Sequence, residues 1–94
     1  RKMELIKVAT GSRVVTTAGS IAGEIRKCGQ AEIRAIGAGA VNQAIKSVVV
    51  ARRYLVRDGV DIVCIPAFVE LMICGQERTA IQLTVVQIMI PTTV

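Results

Sequence analysis

Two stretches of this chain repeat apolar residues at the spacing of a helix face, and each lies between stretches that alternate at the spacing of a strand. In the first, Ala18, Ile21, Ala22, Ile25 and Cys28 recur at the 3.6-residue period of one helical face. Glu24, Arg26 and Lys27 lie off that face. Thr16 or Thr17 offers a hydroxyl to cap the first turn, and Gly29 closes the helix where a positive φ is usual. In the second, Val41, Ala44, Ile45, Val48, Ala51 and Leu55 form the buried stripe of a helix. That helix runs from the small-residue turn Gly37-Ala38-Gly39-Ala40 to about Leu55 or Val56.

Strands are expected around these helices. Glu4 to Thr10 places Leu5 and Ile6 beside Val8, and Ala31 to Ile36 alternates Ile33 and Ala35 with Glu32 and Arg34. After the turn Asp58-Gly59, Asp61 to Ile65 carries apolar residues on both faces, which predicts a central or doubly covered strand. Pro66 has no N–H to donate, so it predicts a bulge or a departure from the neighbouring strand. Phe68 to Ile73 resumes extended structure, Cys74-Gly75-Gln76-Glu77 forms a hairpin tip, and Arg78 to Val86 returns. Pro91 ends the order, and the last residues are expected to fray. The element order is β-α-β-α-β-β, an α/β two-layer sandwich. Its two β-α-β units predict parallel pairing with right-handed crossovers and both helices on one face.

Composition narrows the chemistry. With 94 residues, the chain forms a single domain, 1–94. At 52% hydrophobic, it has material for one core and is far from a disordered tail. Tyr54 and Phe68 are its only aromatics. The core must be aliphatic, and recognition of single strands by ring stacking is excluded. Histidine is absent, which excludes Ser-His-Asp triads and histidine metal sites. The cysteines, Cys28, Cys64 and Cys74, show no Cys-x-x-Cys spacing, so no metal site and no cofactor is expected. Cys64 reads as a buried small hydrophobe, and Cys74 has no neighbouring base to make it a nucleophile. No run reaches the ~18 apolar residues of a membrane span. With neither a secretory signal nor a disulfide framework, a reducing cytoplasm is the expected compartment. The chain opens on Arg1 instead of Met, as a piece of a longer protein would. Its formal charge of +5 favours anionic partners, nucleic acid first, although simple solubility accounts for a charge of this size equally well.

Three blocks carry a specific likeness: AEIRAIGAGAVNQAIK (Ala31 to Lys46), GVDIVCIPAF (Gly59 to Phe68) and GQERTAIQL (Gly75 to Leu83). In order and spacing they resemble the stage V sporulation protein S family, from about Met3 to Gln87. The family's fold is similar to that of Alba, the small archaeal chromatin and RNA-binding protein. The resemblance implies an Alba-like domain with a mixed four-stranded sheet, a homodimer or higher homo-oligomer, nucleic-acid binding (DNA or RNA), and a regulatory role in sporulation or development. It implies a cytoplasmic, nucleoid-associated location. Two departures stand out. The loop before the first helix reads Ser12-Arg13-Val14-Val15-Thr16-Thr17, where the family usually has a serine- and proline-rich stretch. The turn before the second helix, basic in Alba proteins, is here Gly37-Ala38-Gly39-Ala40. Ile88 to Val94 extends beyond the matched blocks.

Several residues are candidates for contact with a polyanion. At 100° per residue, Asn42, Lys46, Arg53 and Arg57 fall on one narrow face of the second helix, opposite the buried stripe. No acidic residue shares this face, and Val49 and Val50 flank it. A line of cations on a helix can follow a phosphate backbone; an ordinary solvated basic face has the same pattern. The turn Gly37, Ala38 and Gly39 can bring backbone N–H groups to a phosphate at the helix N-terminus, or it serves only close packing of helix on sheet. Arg13 falls in the first strand-to-helix loop, expected beside the Gly37 turn. Arg78, next to Glu77, is the cation of the hairpin. Lys7, Arg26, Lys27 and Arg34 read as solubility charges.

These features favour a non-enzymatic protein that grips DNA or RNA through phosphates with little sequence preference. The alternative is a protein-interaction or assembly module of a developmental pathway that does not bind nucleic acid. An enzyme is disfavoured, because Glu24, Glu32, Asp58, Asp61, Glu70 and Glu77 form no recognisable acid/base motif. Neither a small-molecule substrate nor a membrane is an expected partner.

Overall fold

In the computed structural model, which describes residues 3–89, the elements are β1 (Leu5–Val8), α1 (Val14–Cys28), β2 (Gln30–Ala35), α2 (Ala38–Leu55), a 3₁₀ turn (Val56–Asp58), β3 (Val60–Ile73) and β4 (Gln76–Met89). The strands form one mixed sheet in the order β1-β2-β4-β3. Two helices and a mixed four-stranded sheet make the expected two-layer α/β fold.

The sheet departs from expectation at β3. Only β1 and β2 pair in parallel, with Lys7 opposite Arg34 and Val8 opposite Ala35. β4 lies between β2 and β3 and pairs antiparallel with both. β3 therefore points the same way as β2 but does not touch it, and it forms the edge of the sheet instead of its centre. Apolar residues on both faces of β3 do not reflect double cover: Ile62 is buried, whereas Val63 and Ile65 stand exposed. Pro66 makes neither a bulge nor a departure. It sits opposite Leu83 in a register unbroken from Val60↔Met89 to Ile73↔Gln76. An edge strand leaves alternate N–H groups facing outward, so a proline at such a position breaks no ladder bond. The Asp61 to Ile65 and Phe68 to Ile73 segments are thus one strand. The hairpin tip is shorter than expected, a two-residue turn at Cys74 (φ 51) and Gly75 (φ 73).

Ile33, Leu83 and Val85 on the sheet meet Ile21, Ile25 and Leu55 on the helices in one aliphatic core. Alanines fill much of the helix side: Ala18, Ala22, Ala40, Ala44 and Ala51 are all buried. Such small residues allow two helices to lie close together on a narrow sheet. The α2 stripe differs from the expected one in two places. Ile45 is 45% exposed, and Ser47 takes an interior place. Ser47 is tolerated there because its hydroxyl donates to the Gln43 carbonyl at 2.7 Å, which satisfies a polar group that would otherwise be orphaned. On α1, Glu24 is buried and not off the core face, and it accepts a hydrogen bond from the Cys28 thiol. Neither Thr16 nor Thr17 caps α1. The helix begins earlier, with Arg13 at the N-cap and no side-chain cap.

The opposite face of the sheet is polar near its centre. Glu32 accepts from Gln30, Gln82 and Thr84, and Gln82 in turn accepts from Arg34. Burial raises the Cys64 thiol above its ordinary range, in keeping with a small apolar filler.

At the helix C-termini, ion pairs fasten α2 and its 3₁₀ turn to their neighbours. Arg52 donates to both Asp61 oxygens at 2.6 and 2.9 Å. Arg26 donates to Asp58 at 2.8 Å and to the Tyr54 carbonyl at 3.3 Å. The Arg52 guanidinium, helped by the Ile62 N–H, holds the Asp61 carboxyl below the usual range. A lowered folded value stabilises above the unfolded pKa of about 4 and is lost as pH falls through the folded value. Asp61→Asn should therefore lower the urea midpoint at pH 7, and its gap to the parent should narrow toward about pH 3; circular dichroism at both pH values checks this.

Candidate nucleic-acid interface

β1 and β2 both run toward the end of the sheet where the helices begin, so both strand-to-helix loops and both helix N-termini gather there. The loops touch. The Gln43 side-chain amide donates to the Ser12 carbonyl at 2.9 Å. A Cβ on Gly39 would stand 2.9 Å from the Thr10 hydroxyl oxygen. Ser12 folds its own loop by accepting from the Ala9 N–H at 2.8 Å. Gly37, with φ 92, is the N-cap of α2 and supplies no side chain to its first turn. Arg13, at the N-cap of α1, makes no side-chain cap either. Neither first turn contains an acidic residue. Two helices thus present uncapped N–H groups, and the positive ends of their dipoles, at one edge. Gly37, Ala38 and Gly39 are exposed there.

Asn42, Lys46 and Arg53 are exposed along α2, opposite Ala44, Ala51 and Leu55, and Arg57 continues the line in the 3₁₀ turn. Of the flanking valines, Val49 is exposed but Val50 packs on the core. Among the described residues, Lys46, Arg53, Arg57, Arg13 and Arg78 make no ion pair. Asp58 shares a groove with Arg26, Arg53, Tyr54 and Arg57, but its carboxylate is engaged by Arg26. Part of this positive charge complements the helix dipoles, since Arg26 and Lys27 end α1 and Arg52 and Arg53 end α2.

The structure brings Arg13, Asn42 and the Gly37–Gly39 turn to the loop end. Lys46, Arg53 and Arg57 run away from that end along α2. Arg78 stands apart on the β3–β4 arm, the part of the hairpin beyond the end of β2, opposite Leu71. It forms no pair with Glu70, which accepts instead from the Thr79 hydroxyl at 2.9 Å. Two residues that read as solubility charges have other duties. Arg26 ties α1 to the end of α2, and Arg34 belongs to the polar network of the sheet. Arg34 also lies directly beside Lys7, a neighbourhood that only strand register reveals.

The family model of stage V sporulation protein S matches residues 4–88, from just before β1 to one residue short of the end of β4. The chain belongs to the stage V sporulation protein S family. It is thereby a member of a sporulation-associated family, and the match spans every helix and strand described above. Ile88, expected to lie beyond the likeness, falls inside the match and pairs with Asp61, and Met89 pairs with Val60. Residues 90–94, including Pro91, lie outside the described residues. Among the described residues, no helix is long and apolar enough to cross a membrane.

The contact between Gly39 and Thr10 can be tested. Gly39→Ala should destabilise the fold by about 1 kcal/mol, the cost of pushing the exposed Thr10 side chain off its rotamer. Adding Thr10→Ala, which removes the obstructing hydroxyl and methyl, should restore most of that loss in a urea titration.

Proposed function

We propose that this protein is a non-enzymatic nucleic-acid-binding regulator in sporulation or development that holds DNA or RNA by its phosphates. The observation that carries this reading is the row Lys46, Arg53 and Arg57, exposed on one face with no carboxylate engaged by any of the three. Asn42, Arg13 and the exposed turn at Gly37 lead into the row at its loop end. There, two uncapped helix N-termini add donors that recognise phosphate and not bases. No array of base-reading side chains accompanies them, so binding is largely independent of sequence. Arg78 extends the reach of the surface onto the arm.

The double substitution Lys46→Ala with Arg53→Ala should weaken binding to all duplex sequences alike. It should also reduce the slope of log K against log salt by about 0.9 for each phosphate contact removed. Fluorescence anisotropy across a salt series measures both quantities. An unchanged slope would argue against this face, and absence of binding to DNA and RNA at low salt would end the proposal.

The working unit in this reading is a homodimer in the cytoplasm, on the nucleoid. Its support is the open edge of β3. Among the residues of this strand, only Asp61 and Glu70 are charged. Ile65 is 57% and Phe68 77% exposed. A long, largely apolar edge, interrupted only at Pro66, is a template for pairing with another strand, and a second copy would bring a second row of cations. The same edge also favours a second reading, an assembly module that docks a protein partner and not nucleic acid. Ile65→Lys with Phe68→Glu should convert the dimer to a monomer in light scattering. If the mass is unchanged, the edge is not the contact between copies.

A further inference from the structure

A cavity of about 540 Å³ lies at the carboxyl ends of β1 and β2, where the far end of the β3–β4 arm faces the body of the domain. Lys7 and Arg34 form its cationic side, and Ile36, Leu71 and Ile73 form its apolar side. This volume is within the range of small-molecule sites.

Lys7 and Arg34 are register partners on adjacent parallel strands, so their side chains leave the same face of the sheet side by side. No acidic residue lines the cavity. The nearest carboxylate on this face, Glu32, is engaged by Gln30, Gln82 and Thr84. Arg34 donates through Nε and Nη2 to the neutral side-chain oxygen of Gln82, at 3.2 and 2.9 Å. That contact fixes the guanidinium without neutralising it and leaves Nη1 available. Lys7 makes no hydrogen bond or ion pair among the described residues. An anionic group between the two side chains would accept a charge-assisted hydrogen bond from each. On the arm, Leu71 and Ile73 are two residues apart in β3 and so share one face of the strand.

We propose that this cavity binds a small amphiphilic anion, with a phosphate or carboxylate head held by Lys7 and Arg34 and an apolar body lying against Ile36, Leu71 and Ile73. The molecule is proposed as a ligand and not as a substrate. The site is separate from the Lys46–Arg57 row, so it stands or falls independently of nucleic-acid binding.

The test uses the whole chain with octyl phosphate as probe, and inorganic phosphate and octanol as its two halves. Octyl phosphate should bind one per chain in calorimetry. It should shift the amide resonances of Val8, Arg34, Ile36, Met72 and Ile73 and leave those of Lys46 and Arg53 in place. Each half alone should bind at least about tenfold more weakly. Lys7→Gln, at an exposed position without partners, should fold normally and lose about tenfold in affinity, the equivalent of one charge-assisted contact. Ile73→Gln should weaken octyl phosphate and leave inorganic phosphate unaffected, while Lys46→Ala with Arg53→Ala should bind octyl phosphate like the parent. Equal affinity for inorganic and octyl phosphate, shifts centred elsewhere, or unaltered binding by Lys7→Gln would each overturn the proposal.

Discussion

The close seating of two alanine-rich helix faces on one narrow aliphatic sheet is the constraint from which the other features follow. With almost no aromatic residues, the domain cannot fill its interior with a few large rings. It fills it with branched aliphatics from the sheet, such as Ile33, Leu83 and Val85, and lets Ala18, Ala22, Ala44 and Ala51 bring the helix backbones near. Both helices follow strands that point the same way, so they are parallel to each other. Their N-termini collect at one end and their C-termini at the other. The distribution of charge follows from that polarity: bare N–H groups and small residues stand at the loop end, and Arg26, Lys27, Arg52 and Arg53 at the far end.

The same economy leaves the second hairpin only partly supported. β2 covers β4 from Ile81 to Val86, and the helices reach only the inner half of β3. The remainder of β3 and β4 stands out as an arm, which accounts for a longest dimension of 55 Å against 25 and 21 Å. An element with one unpaired edge and exposed Ile65, Phe68 and Met72 has area left to bury. Membership of the stage V sporulation protein S family makes this the architecture of a sporulation-associated family.

The candidate surface was legible in the sequence where it lies on one element. Asn42, Lys46, Arg53 and Arg57 share a face because helical geometry is local, and residues opposite a buried stripe must face water. Even there the reading slipped at Ile45 and Ser47. A hydroxyl that bonds to the carbonyl one turn back behaves as an interior group, which hydrophobicity patterns do not register. The adjacency of Lys7 and Arg34, the duty of Arg26 at the end of α2, and the packing of Gly39 on Thr10 all join distant parts of the chain, and no local pattern reports them.

The alternation of helix and strand periods and the punctuation by Gly29, Gly37 and Gly59 were determined by the sequence itself, since each depends on interactions between near neighbours, and the aliphatic character of the core follows from composition. The three quoted blocks sufficed for the family. Tertiary structure alone decided that β4 enters between β2 and β3, because apolar residues on two faces look the same whether a neighbouring strand covers them or water does. The choice rests on which strand can offer Ile81, Leu83 and Val85 to the helices while pairing on both sides, a competition among distant segments. It made β3 an edge, Pro66 harmless, and the end of the arm the wall of a cavity.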